Sequence, residues 1–526
     1  MKFSNNNVFK YIFVIVVIAL IVGAVYLVYY KNNNNVENVE GDDENETSEE
    51  QISIVENLKM GIQSFDTINP ILSKNKEVLN IDKLIFEPLI NITPDYHLEY
   101  CLANDIKKTG DSVYELKINS NIKWQDGSNL LSKDVQYTVN LLKSVDSIYS
   151  PNVSHIQSVD LPDSETAVIT LDQNVPYFEY YLDFPIVSSS YYFNEDFVNS
   201  SKIPIGTGMY KIASIDNDNV LLVINDRWRN IKNYRPKTQS ITIHRYNAIG
   251  EMFNAFKLGN IDIINTYMSN YSDYVGTMGY NKKEYAGRNF TYLSFNCNDS
   301  ILQDVVVRKA IAKAINKESI VSTVFSGQKI VANTPLDYGS YLNNSEGVVG
   351  FNQDEAKKDL QDNGWVYVSN RWQKTIDRYV KRLTLSLVVN NDDADKVKVA
   401  NAISDELGAI GIKVNIAKVS SDRYYQYLNE KNYQMILTSV DNSISPDLNY
   451  FCGQNNLSNY NNSDVLSGID DADKIKDAEK QANVDVPYVG LYRNRVYLIL
   501  NANVGGNFEP NGYFTYYHFN EWFRQQ

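Results

Sequence analysis

Cysteine and histidine are scarce in this chain of 526 residues, with three of the first and four of the second. Cys101, Cys297 and Cys452 lie far apart with no Cys-x-x-Cys spacing, which excludes a zinc ribbon or a dithiol redox motif. A chain of this length buries an adequate core without covalent staples, so no structural disulfide is expected. His97, His155, His244 and His518 include no pair four residues apart. A helix-borne metal site is therefore not expected, and neither is a cofactor. The strings G-x-S-x-G, H-E-x-x-H and G-x-x-x-x-G-K-[ST] are absent, which argues against the enzyme classes that depend on them. Positive charge is short as well: Lys and Arg total 49 against 64 Asp and Glu, a net charge of −15. Nucleic acid is thus disfavoured as a partner, because phosphates require clustered cations. No repeat with a period of 20–50 residues is present.

What the chain does have is one long apolar run. Residues 11–30 carry no charge, and that length suits a helix crossing a bilayer. Lys2 and Lys10 precede the run, and residues 31–50 contain eight carboxylates. Cations on the entry side predict an N-inside, C-outside orientation, with Tyr26, Tyr29 and Tyr30 at the outer interface. The expectation is a cytoplasmic stub (1–10), a transmembrane anchor (11–30) and a disordered acidic tether (31–50). Twenty such residues span about 25 Å. A cleaved secretory signal is the alternative, but the run is long for one and no small-residue cleavage site follows. No cysteine follows it to carry a lipid.

Beyond residue 51 the pattern is mixed α and β. Residues 53–60, 114–118, 167–171, 241–244, 383–389 and 412–416 read as strands, and 210–224 as a hairpin turning at 216–219. Helical spacing marks 78–86, 250–258 and 397–407, the last closed by Gly408. Ser132 is the expected N-cap of a helix reaching Leu142, with Asp134 in its first turn. Asp304 is the expected cap of a helix burying Val307, Ala310, Ile311, Ala314 and Ile315. The succession 383–389, 397–407, 412–416 predicts a parallel βαβ unit.

Several strings share an order and spacing that resemble the peptide-binding (family 5) solute receptors of ABC importers, the oligopeptide- and dipeptide-binding proteins. They are Asp66-Thr67-Ile68-Asn69-Pro70, Ile85-Phe86-Glu87-Pro88-Leu89-Ile90 and Trp124-Gln125-Asp126-Gly127. Pro204-Ile205-Gly206-Thr207-Gly208, Val307-Arg308-Lys309-Ala310-Ile311 and the run 407–412 complete the set. Each also has a plain structural reading. Gly206 and Gly208 would supply backbone angles closed to other residues, Trp124 would be core, and Lys309 and Lys313 a solvated helix face.

The resemblance implies a two-lobed, periplasmic-binding-protein-like (class II) α/β fold with an extra subdomain. Lobe I would comprise 51–90, 204–290 and 501–526, the inserted subdomain 91–203, and lobe II 291–500. It implies capture of an oligopeptide between the lobes by a monomer, for delivery to ABC permease subunits with their ATPases. The family's ammonium anchor is an Asp after a strand, and Asp441 matches it, beside Ser439 and Val440. The pattern departs in having Thr438 and Ser439 where an aromatic is usual, and Pro446 five residues on rather than four. Motif position adds Lys74 and Lys76, Asn265 and Thr266, and Ser294 and Asn296. An oligosaccharide receptor is the alternative, which the 39 tyrosines would suit, or a peptide-pheromone sensor.

Overall fold

The computed structural model describes residues 54–525, apart from 64, 274–278 and 377. The predicted span at 11–30 and the tether at 31–50 lie outside the described residues. Among those described, no helix is long and apolar enough to cross a membrane.

Eleven strands form the main sheet: β1 (Asn57–Gln63), β2 (Tyr210–Ile215), β3 (Asn219–Ile224), β4 (Ser240–Tyr246), β5 (Ile263–Thr266), β6 (Tyr280–Phe295), β7 (Lys329–Val331), β8 (Thr384–Asn390), β9 (Lys413–Val419), β10 (Met435–Asp441) and β11 (Tyr488–Asn501). Their order is β9-β8-β10-β6-β11-β5-β1-β4-β3-β2, with β7 on β11. Alternation sets the faces. In β1, Leu58, Met60 and Ile62 are buried while the residues between them are only partly so.

β6 and β11 have 16 and 14 residues and pair with each other antiparallel. At one end β11 pairs with β5, which leads to β1–β4. At the other end β6 pairs with β10, which leads to β8 and β9. Among the described residues, these two strands alone carry the main sheet from one half to the other. The first half has a core of Leu58, Met60, Ile62, Leu498, Leu500 and Trp522. The second packs Val307, Ile311, Leu385, Leu387, Ile403 and Leu437.

The βαβ unit is present: β8 and β9 are parallel and joined by the helix Ala394–Ala409. Gly408 does not close this helix. The left-handed position falls one residue past the Ile410 cap, at Gly411 with φ +88°, where a side chain is disfavoured. The helix expected at 78–86 is Lys76–Asp82, capped by the Asn75 side chain. Asp304 caps Val305–Ala314 as expected, accepting from the Val306 N–H at 2.9 Å.

Ser132 is the first residue of Ser132–Ser144 rather than its cap. The cap is Leu131, whose N–H donates to the Asp134 carboxylate at 2.9 Å. Trp124 is core, fully buried and donating to that same carboxylate at 3.3 Å. The Ser132–Ser144 helix lies on a four-stranded antiparallel sheet ordered Ala103–Gly110, Val113–Ile118, Thr166–Leu171, Ile156–Asp163.

Gly206 and Gly208 are needed for closeness, not for unusual backbone angles, since neither has a positive φ. A Cβ on Gly208 would stand 2.7 Å from the Leu84 carbonyl oxygen, and one on Gly206 would collide with that of Ile85. Lys313 is half-buried and paired with Asp359 at 2.8 Å and Glu355 at 3.1 Å, so that helix face is not simply solvated. All three thiols are free, and burial pushes those of Cys101 and Cys452 well up.

Candidate ligand-binding cleft

The ladder between β6 and β11 breaks where the two halves meet. Ala286 pairs with Arg495 and Phe290 with Arg493, so Gly287, Arg288 and Asn289 stand opposite Asn494 alone. A bulge bends its strand and re-aims side chains. Here it presents Arg288 and Asn289 to a cavity of about 780 Å³ between the halves, a volume usual for ligand sites.

One wall comes from the first half. It carries Lys74, Lys76, Glu77 and Lys83, together with Asn265 and Tyr285. The facing wall is the end of β10 and the turn after it, Asp441 to Ile444. Asn289 donates to Asp441 Oδ1 at 3.0 Å, and Lys76 Nζ lies 3.3 Å from Oδ2, so this carboxylate is held from both sides of the cleft. Burial works to raise the Asp441 carboxyl, but the Asn289 bond, Lys76 and Arg288 outweigh it and keep it below its ordinary value. Arg288 donates to the Asn442 carbonyl at 3.2 Å and accepts the Asn442 N–H at 3.0 Å. Lys74 is paired with Asp146 at 2.5 Å.

Deeper in the cavity Asp183 is buried and accepts from Asn152 at 2.7 Å. Lys83 donates to the Tyr513 carbonyl at 2.7 Å, with its ammonium 3.0 Å from the Tyr513 ring centroid. Burial dominates both groups, raising Asp183 and lowering Lys83, while their mutual attraction opposes it. Burial also lifts Glu77 to about 7, against a hydrogen bond from the Gln63 N–H. The arrangement offers opposed charges, amides and aromatic faces, and so suits a polar ligand bearing charge of both signs.

Of the residues singled out from sequence, Lys74, Lys76, Asn265 and Asp441 line this cavity. The others are turned to internal uses. Thr266 is buried and accepts the Met268 N–H at 3.1 Å. Ser294 is buried within β6, and Asn296 donates to the Lys431 and Tyr433 carbonyls at 3.3 and 3.0 Å. Ser439 accepts from Thr291 at 3.2 Å, and Val440 packs against the core that includes Phe290 and Phe451. Sequence reasoning did not single out Arg288, Asn289, Lys83 or Asp183. The signal for the first two was Gly287, a glycine within a strand pattern, which marks a bulge.

Residues 97–462 match the family model described as bacterial extracellular solute-binding proteins, family 5 Middle. The chain belongs to this family. Its fold is the two-lobed, periplasmic-binding-protein-like α/β fold, and its role is that of an ABC solute-binding protein. This family 5 protein is 22% identical over 481 residues to the oligopeptide-binding protein AppA of Bacillus subtilis (strain 168), covering 83% of this chain and 86% of that one. It is 20% identical over 446 residues to the nickel-binding protein NikA of Staphylococcus aureus (strain NCTC 8325 / PS 47), covering 82% of each. A solved nickel ABC transporter structure from Bacillus halodurans superposes with a TM-score of 0.76 at 19% identity, over 89% of this chain and 100% of that one. These relatives are named for what they bind or transport, not for a reaction. AppA and NikA differ in solute at nearly equal identity, so likeness alone does not select the ligand.

Proposed function

We propose that this family 5 protein captures oligopeptides outside the cell and passes them to ABC permease subunits driven by their ATPases. The observation that carries the reading is Asp441, an exposed carboxylate held below its ordinary pKa on one cleft wall, facing the other wall's lysines. A peptide's α-ammonium is the natural counter-charge for such a group, because an ammonium enclosed between the lobes without a partner is costly. The peptide backbone would lie along the end of β10 as an added strand, with side chains in wet pockets. A ligand touching both walls favours the closed form by its differential affinity. Residues 51–90, 204–290 and 501–526 would move as one lobe and 291–500 as the other. The apolar run at 11–30 would hold the monomer to the membrane by its acidic tether, with the cleft outside.

An oligosaccharide is the second reading. Tyr149, Tyr180, Tyr181, Tyr267, Tyr285 and Tyr513 line the cavity, and their rings suit sugar faces. A neutral sugar leaves the ionised Asp441 without a task, which favours the peptide. A thermal-shift comparison of tetra-alanine, maltotetraose and nickel–histidine separates the readings, since a ligand of the native state raises the melting temperature. The expected result is a rise with tetra-alanine alone. A rise with maltotetraose or nickel–histidine, and none with the peptide, would overturn the proposal. Uptake of the peptide by cells distinguishes transport from sensing.

A further inference from the structure

The anchor carboxylate already has a cation. Lys76 reaches it across the cleft at 3.3 Å from Oδ2, while Oδ1 accepts from Asn289 at 3.0 Å. An arriving α-ammonium that takes the Oδ2 side competes with Lys76 for that oxygen and can displace it. The neighbouring Glu77 is a poor receiver for the displaced ammonium, because its carboxyl already accepts the Gln63 N–H at 3.1 Å and burial lifts it to about 7. Lys74, two residues before it on the same wall, is satisfied by Asp146 at 2.5 Å, and Arg288 on the crossing strand is itself a cation. Occupying the anchor therefore gathers the ligand's ammonium, Lys76 and Arg288 about Asp441, with the raised Glu77 carboxyl the other acid beside them. Like charges so arranged repel unless an anion enters with the ligand.

We infer that the cleft selects peptides bearing an acidic side chain at or next to the free N-terminus, with Lys76 as the residue that imposes this choice. Such a ligand brings its own carboxylate to the lysine as its ammonium takes Asp441, and charge alternates again across the cleft. A basic first residue adds a further cation to the cluster. The inference rests on the peptide reading and on Asp441 as its ammonium anchor. It goes further by naming a substrate class.

The test uses the full chain extracted in detergent, titrated calorimetrically with Glu-Ala-Ala-Ala, Ala-Ala-Ala-Ala and Lys-Ala-Ala-Ala at low salt. The acidic peptide should bind about fivefold more tightly than tetra-alanine, as expected for a part-exposed pair little screened by salt. The lysine peptide should bind more weakly than either. Lys76→Met should bring the acidic and neutral affinities together, whereas Lys76→Arg should keep them apart. Equal wild-type affinities for the acidic and neutral peptides, or an unchanged ratio in Lys76→Met, would overturn this inference and leave the peptide reading standing. Failure of all three peptides to bind, or an Asp441→Asn affinity for tetra-alanine equal to wild type, would remove both.

Discussion

Two ion pairs flank the bulge, and they are of opposite kinds. Arg493 and Asp337, 2.8 Å apart, have side chains only 1% and 15% exposed. Arg493 also donates to the Thr334, Pro335 and Arg288 carbonyls, and it stacks on Phe290 and Tyr338. Lys76 and Asp441, by contrast, are 69% and 57% exposed and share one 3.3 Å contact. The first pair is surrounded by partners that nothing else can supply, so it fixes the second half to the crossing strands. The second can be traded for another cation at little cost. A cleft that must exchange ligands uses the second kind where the ligand goes and the first kind just behind it.

The comparison can be broken most forcefully at Arg493. Arg493→Met should cost about 3–5 kcal/mol, because it takes the cation from a largely buried carboxylate and a donor from three carbonyls. Denaturant unfolding measures this, and a loss below 1 kcal/mol would make the two pairs alike. Asp441→Asn should do the reverse. It should weaken tetra-alanine binding by about 2–5 kcal/mol while changing unfolding stability by less than about 1 kcal/mol. A variant that binds normally but unfolds easily would assign Asp441 to structure.

Glu77, next to Lys76, sharpens the comparison through pH. Its carboxyl is raised from 4.5 to about 7 in the folded protein. The stability it contributes is fully present below 4.5 and is lost as pH rises through about 7. Glu77→Gln should therefore be more stable than wild type at pH 8 by roughly 1–3 kcal/mol and show no such advantage at pH 4. Parallel pH–stability curves would show that the carboxyl is solvated. The smallest effect is that of Lys76→Met on folding, less than about 1 kcal/mol and erased in about 0.5 M salt. A larger, salt-resistant loss would place Lys76 with Arg493 among the structural cations.

Regular elements were legible in the sequence because periodicity reports burial directly. The β8–helix–β9 unit and the Asp304-capped helix show this. Their ends were less legible. Gly408 and Gly411 are both glycines near a helix end, and only the backbone angle distinguishes them. Asp441 could be singled out only by its match to the family's anchor position, and it proves to be the last residue of β10 rather than part of the loop after it. Arg288 and Asn289 could not, because a bulge changes which side chains face the cleft without altering the strand's composition. Lys83 and Asp183 come from segments 100 residues apart that meet only in the folded chain. Ser294 and Asn296 looked equally polar and available, yet the first is sealed within β6 and the second tied to the Lys431 and Tyr433 carbonyls.

The path of the two crossing strands also sets an order of birth. The chain enters the second half along β6 and leaves it along β11, so the ladder β9-β8-β10-β6 consists of residues made before 442. The first half cannot finish so early. β5 waits for β11, and the strand Ile54–Val55 waits for Phe523–Gln525 at the far terminus. Domains form as their residues emerge, so the ladder β9-β8-β10-β6 can pair before β11 is made, while β5 and Ile54–Val55 still wait for their partners.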